Sequence, residues 1–415
     1  HVLLTKLDTD DEEATVDVKL TGPLSTILDE LNTKPLRYAH ALGVDPSGIK
    51  GAADGELHFH LPMKKNLRFA QVDYSGRGTL AGVRIAKVLF DRDMSEGSLR
   101  LDVERGSLDL NGTGKLDGVP VTLDWRENFG VDTVRTRYRV QGIFDDAARR
   151  KLGVDWLPEM ISGPVGIDLT FQRHRNNFAE SDVSLDLTNA ALSVERLGWK
   201  KKAGTPASAH LDILARNDLS TRIDNLSIRG GGLDARMDLT LTGGETDAKI
   251  AHANLYRLAV GKTDMSAVME RRPDGGWAVQ IRGRSFDASR LIDDLQTATP
   301  GTGREPSLSI EADLDRMLLS SDRYIDKVHA RIYSDGLHWQ TALIDAVPAP
   351  GKKLSLRLGG ALGDRNFKLA SDDLGAVLRL LDISSKVEGG NVTVTARAED
   401  IGAKRILRGK FDGEN

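Results

Sequence analysis

His58 and His60 stand one residue apart, in a stretch where Leu57, Phe59 and Leu61 alternate with them. On an extended strand the two imidazoles share one face, and such a pair can ligate a metal ion. No H-E-x-x-H or carboxylate–histidine motif supplies a third ligand. The plainer reading is two polar residues on the wet face of an amphipathic strand. Carboxylates cluster at Asp10-Asp11-Glu12-Glu13 and at Asp293-Asp294. Nothing marks any two of them as facing across a cleft, which acid–base catalysis or glycoside hydrolysis requires, so the run at 10–13 reads as a solvated loop. Ser47-Gly48-Ile49-Lys50 matches S-x-x-K without the motifs that accompany it in acyl-transfer enzymes. Gly230-Gly231-Gly232 precedes an alternating strand and reads as a turn or bulge rather than a phosphate loop. Lys200-Lys201-Lys202 is basic enough to touch anionic head groups, although an isolated basic loop is ordinarily just solvated. The sequence therefore assigns no catalytic residue, no metal and no cofactor.

Composition narrows the field further. The 57 Lys and Arg against 61 Asp and Glu give a net charge of −4, without the basic excess that nucleic-acid binding needs. No nucleic-acid partner is expected. Cysteine is absent, which removes disulfide frameworks and thiol chemistry but does not decide the compartment. No apolar run reaches the roughly 18 residues of a spanning helix. The chain begins at His1 and stops near Phe411, in strand-like sequence at both ends, and it reads as a segment of something longer.

The elements that must position any site are strands. Val16, Val18 and Leu20 alternate with charged or polar residues, and so do Leu99, Leu101 and Val103. The same period of two runs through 119–125, 183–187, 237–241, 354–358 and 392–396. Each such strand has one apolar and one wet face, which predicts antiparallel sheet. Glu104-Arg105-Gly106 and Leu116-Asp117-Gly118 punctuate the strands at hairpin spacing.

Four helical segments interrupt the alternation. Leu24, Ile27, Leu28 and Leu31 take i, i+3, i+4, i+7 spacing, as do Ala288, Leu291, Ile292 and Leu295, and Leu374, Val377, Leu378 and Leu381. Each makes one apolar stripe on a short helix. Pro23, Asp287 and Asp373 supply helix-entry chemistry before them. A weaker copy runs from Asp145 to Leu152, where Lys151 interrupts the stripe. Strand, short helix, glycine turn and strand then recur over 15–63, 136–174, 277–316 and 365–400. This is a degenerate repeat with hairpins between its copies. The expected fold is mainly β: one continuous, elongated, twisted and curved antiparallel sheet over 1–415 with a few short amphipathic helices. Soft boundaries fall near 200–206 and 297–306.

Several segments resemble the AsmA-like superfamily, and within it the large YhdP-type envelope proteins. They are GPLSTILDELNTKPLRYAHALGVDPSGIKG (22–51), GVPVTLDWRENF (118–129), SGPVGIDLTF (162–171), LGWKKKAGTPASAHLDI (197–213) and SDDLGAVLRLLDISSKVEGGNVTV (371–394). They fall in the family's order and are spread along most of the chain, from residue 22 to residue 394. The resemblance implies a periplasmic protein held to the inner membrane by an anchor outside this chain. It further implies a lipid-lined β-groove that carries phospholipid between inner and outer membranes, with outer-membrane or periplasmic proteins as further partners.

The physics of such a groove is demanding. Exposing acyl chains to water costs about 0.8 kcal/mol per CH₂, hence ~25 kcal/mol for two chains of about 16 carbons. A carrier must offer an apolar face along the whole path. Strands ~4.8 Å apart would supply one, and about 25 of them would extend ~120 Å. The candidate liners are Leu101, Val103, Leu108, Leu110, Val121, Leu123, Ile167 and Leu169, followed by Leu185, Leu187, Leu239, Leu241, Leu356, Leu358, Val392 and Val394. An ordinary sandwich would bury the same residues against a second sheet, and alternation alone does not separate the two. A structural or protein-binding β-rich envelope protein without lipid cargo is the alternative. A carbohydrate-active enzyme would need two facing carboxylates in an aromatic cleft, and aromatic residues make up only 5% of the chain.

Overall fold

In the computed structural model strands hold 69% of the residues and helices 8%. The mainly β, antiparallel architecture expected from alternation is the one observed. The structure describes all residues except 8–11, 32–47, 65–66, 68–70, 131–132, 154–158, 177, 216–219, 244–247, 291, 293–305, 362–363, 402–403 and 415. Asp10, Asp11, Ser47, Asp293, Asp294 and most of the 297–306 loop therefore lie outside the described residues, as do Leu291 and Leu295 of the third helical stripe.

The chain forms two compact units, His1–Leu192 with Ser208–Asp218, and Ser193–Ala207 with Leu219–Asn415. In the first unit the strands are β1 (Val2–Thr5), β2 (Glu13–Pro23), β3 (Ile49–Pro62), β4 (Asp73–Leu89), β5 (Arg92–Glu104) and β6 (Ser107–Leu116). Then come β7 (Val119–Asn128), β8 (Val134–Phe144), β9 (Ile161–Ser162), β10 (Val165–His174), β11 (Ala179–Asp186), the start of β12 (Ala191–Val194) and β14 (Ala207–Ala215), while β13 (Trp199–Lys201) belongs to the second unit. The ladder runs in chain order from β1 to β8 and on through β10, β11 and β14, antiparallel throughout. β9 pairs with β12 through Ile161 and Leu192.

The second unit continues with β15 (Ser220–Gly230), β16 (Leu233–Thr242), β17 (Lys249–Val260), β18 (Thr263–Arg271), β19 (Trp277–Asp287) and β20 (Leu308–Leu318). It ends with β21 (Tyr324–Ser334), β22 (Trp339–Val347), β23 (Leu354–Ala361), β24 (Asp364–Ser371), β25 (Asn391–Ile401) and β26 (Lys404–Glu414). From β15 to β26 every strand pairs with its successor, antiparallel except β19–β20. That one parallel pair departs from the expected pattern. Its connection, 288–307, exceeds the dozen or so residues that a crossover needs.

Local chemistry explains the turns and helices. Asp117 and Gly118 take φ of 46° and 85° between β6 and β7, and Gly231 and Gly232 take 59° and 84° between β15 and β16. Both are type I′ turns, whose twist matches the strands they join; the triple glycine is a hairpin turn. Three of the four expected helices are described: α1 (Leu24–Leu31), α2 (Asp146–Lys151) and α3 (Leu374–Leu380). Asp145 and Asp373 cap α2 and α3, each accepting at 2.8 Å from the backbone N–H three residues on. Each of the three helices joins two strands that lie side by side and antiparallel. Lys201, read from sequence as part of a solvated basic loop, is instead buried on β13, where its ammonium donates to the Lys202 carbonyl at 3.2 Å.

Candidate functional site

Strand register decides which side chains share a face. In the first unit Leu20 opposes Gly55, then Gly78, Leu101, Leu110 and Trp125 on successive strands. The row continues through Tyr138, Phe171, Ser181 and Ile213 on β8, β10, β11 and β14. In the second unit Leu226 leads to Met237, Leu255, Ala267, Ile281 and Ala312. Ala330, Ile344, Leu356, Leu369, Val394 and Phe411 complete that row. Neither row contains a charged residue, and Ser181 is the one polar side chain in them besides the aromatic Trp125 and Tyr138.

The expected liners fall on these faces. Leu101, Val103, Leu108, Leu110, Val121, Leu123, Ile167, Leu169 and Leu185 share the first unit's apolar face, and Leu187 follows just beyond β11 in the same phase. Leu239, Leu241, Leu356, Leu358, Val392 and Val394 share the second unit's. Leu110, Val121, Leu123, Leu187 and Val392 are buried; the others are half-buried. The strands pack chiefly against their lateral neighbours in the ladder, and α1 packs on β2 and β3.

The opposite faces are wet and pair their charges across strands. His58 Nδ1 lies 2.5 Å from Asp17, and His60 lies 3.3 Å from the Thr15 hydroxyl and 3.9 Å from Glu13. The histidine pair is thus absorbed by neighbours on β2. Asp182, His210 and Asp212 bring donor atoms within 4.8 Å of one another, with His210 also 3.3 Å from the Ser184 hydroxyl. Arg139 donates to Asp168 at 2.7 and 3.0 Å, and this bond holds the Asp168 carboxyl below its ordinary value.

The β4–β5 hairpin of the first unit leaves the plane of the ladder. Beyond Ile85, β4 has no partner in β3, and register shifts after Ala81, Val83 and Ile85 bend the β4–β5 hairpin. Its tip, Phe90-Asp91, folds over the apolar face. The Phe90 ring meets Phe171 edge-on with centroids 5.1 Å apart, and the Tyr138 hydroxyl donates to the Val88 carbonyl at 3.4 Å. Trp125, Tyr138 and Phe171 form an aromatic run on β7, β8 and β10, with centroids 5.3 and 6.2 Å apart. Aromatic side chains thus join the aliphatic candidates on this face. Burial, reinforced by Glu127, pushes the Tyr138 phenol up to about 12.

Hairpin, α1 and sheet enclose a cleft of about 570 Å³, within the ordinary range for ligand cavities. Leu24 and Leu28 reach it from α1, and Leu101, Leu108, Leu110 and Trp125 form its floor. Its lining holds one carboxylate, Glu127, which accepts from Arg135 at 3.2 Å and from the Trp125 indole at 3.5 Å. Among the described residues this cleft lacks the facing carboxylate pair that glycoside hydrolysis uses. No family model, no curated protein and no solved structure matches the chain.

Proposed function

We propose that the protein is a lipid-transfer segment of the bacterial envelope, which carries phospholipid acyl chains along the apolar face of its large sheet. One observation carries this reading. In each unit a row free of charged residues crosses consecutive strands, from β2 to β14 in the first and from β15 to β26 in the second, and the strands pack chiefly on their ladder neighbours. A sheet whose only task is stability buries such a face against another layer. Here the face is buried in part and half-buried in part, and the apolar cleft under the β4–β5 hairpin opens on it, as a binding site for an apolar ligand would. Hydrocarbon tails fit it without needing any directed polar contact. The resemblance to AsmA-like proteins supports the same substrate class, the periplasmic setting and the inner-membrane anchor. No residue is assigned a chemical step.

Organic extracts of the purified protein, analysed by mass spectrometry, test the reading. Stoichiometric phospholipid is the expected result. Extracts free of lipid, together with no transfer between donor and acceptor vesicles, would overturn it in favour of a protein-binding or structural role.

A further inference from the structure

The cleft under the β4–β5 hairpin carries a charge imbalance. Lys87 and Arg173 both line it. Arg173 sits on β10 in register with Thr136, on the apolar face and in phase with Phe171, and its guanidinium lies 5.7 Å from the Phe171 ring centroid. Neither cationic side chain has a carboxylate partner among the described residues. The third cation, Arg135, is the extra residue of a bulge in β8, where Arg173 and His174 pair with Thr136 and Val134. The bulge turns Arg135 toward the cleft, but Glu127 already neutralises it. On the wet face many cations do pair across strands, as Arg139 does with Asp168 and Arg126 with Asp109. Here two cations remain unbalanced on the rim of an apolar cavity.

On this basis we infer that the cleft seats an anionic amphiphile, with one acyl chain against Leu101, Leu110 and Trp125 and its phosphate or carboxylate head on Arg173 and Lys87. The inference rests on the lipid reading and deepens it to a head-group class. Guanidinium recognises phosphate and carboxylate through paired N–H donors. The Phe171 ring beneath it leaves those donors free to point outward, since a cation–π contact uses the face of the guanidinium. A zwitterionic head would bring its own ammonium close to Lys87 and gain less.

The test uses Trp125 as reporter in the full chain. Lysophosphatidate with a brominated single chain is titrated against lysophosphatidylcholine with the same chain, and glycerol 3-phosphate is added as the head alone. Both brominated lipids should quench fluorescence that disappears in Trp125→Phe. Lysophosphatidate should bind about tenfold more tightly, a preference that Arg173→Gln abolishes, Lys87→Gln reduces and Arg173→Lys partly keeps. Equal affinities for the two lipids, or an unchanged preference in Arg173→Gln, would overturn the head-group assignment and leave the lipid reading standing. Competition by glycerol 3-phosphate at the lipid's own affinity would make this a plain anion site and overturn it as well. Absence of Trp125 quenching by either lipid would remove both the assignment and lipid binding in this unit.

Discussion

Phe90, at the tip of the β4–β5 hairpin, meets Phe171 of β10 edge-on, ring planes at 79°. Between these strands in the ladder stand β6, β7 and β8, so the contact exists only because the hairpin leaves the sheet and crosses its apolar face. The backbone is strained to do so. Phe90 and Asp91 both take positive φ, 48° and 57°, a conformation that costs a residue other than glycine about 1–2 kcal/mol.

Phe90→Asn separates these two effects. Asn tolerates the left-handed region and relieves strain, while loss of the ring forfeits about 0.5–1.5 kcal/mol of edge-to-face contact. Overall stability should change by less than about 1 kcal/mol. Hydrogen exchange of the amides from Lys87 to Arg92 should nevertheless accelerate, because the clasp to β10 is gone. Unchanged exchange there would mean that the aromatic contact does not hold the hairpin down.

Tyr138 makes the second tie, through its bond to the Val88 carbonyl. Its pKa is raised by burial to about 12, so the unfolded chain ionises first as pH rises. The stability contributed by the neutral phenol is fully present below about pH 10 and is lost between there and about 12. A phenolate absorbance titration should show a late-titrating tyrosine that Tyr138→Phe removes. If the variant retains the full high-pH step, another tyrosine is responsible.

The strands and three of the helices were legible because alternation and helical spacing are local signals. The Asp117-Gly118 turn was legible for the same reason. Phe90-Asp91 was not: neither residue favours positive φ, and the turn is imposed by bulges whose positions depend on cross-strand register. Arg173 left a trace that alternation could have exposed. Ile167, Leu169 and Phe171 set the apolar phase, and the next residue in that phase is a cation. Arg149 left no trace at all, since burial of a helix arginine depends on a turn fourteen residues downstream.

Leu185 and Leu187 separate transport from folding. Leu185 is half-buried in the open face, whereas Leu187 is only 3% exposed. Leu185→Asp should leave the unfolding midpoint nearly unchanged and slow vesicle-to-vesicle lipid transfer, because a carboxylate interrupts the row beside Ile167. Leu187→Asp forces a charge into a packed site and should cost several kcal/mol. Normal transfer by a folded Leu185→Asp protein would show that this stretch of the face lies off the path.

Arg149 is buried in α2 and donates to the Phe144 carbonyl at 3.1 Å, the Gly163 carbonyl at 2.6 Å and the Ile161 carbonyl at 3.2 Å, with Asp146 as its counterion. Asp146 in turn accepts from the Gly163 N–H at 3.0 Å. The pair therefore fastens the helix to the turn that sends the chain into β10, the strand bearing both Phe171 and Arg173. Arg149→Met keeps most of the packing volume but takes the donor from three carbonyls and the counterion from Asp146. A loss of roughly 3 kcal/mol is expected, read as a shift of the Trp125 fluorescence transition in urea. Asp146→Asn should cost less, because that carboxylate is 42% exposed and water can replace part of what it gave. A shift below about 1 kcal/mol for Arg149→Met would mean that water satisfies these carbonyls just as well, and that β10 is positioned by its ladder alone.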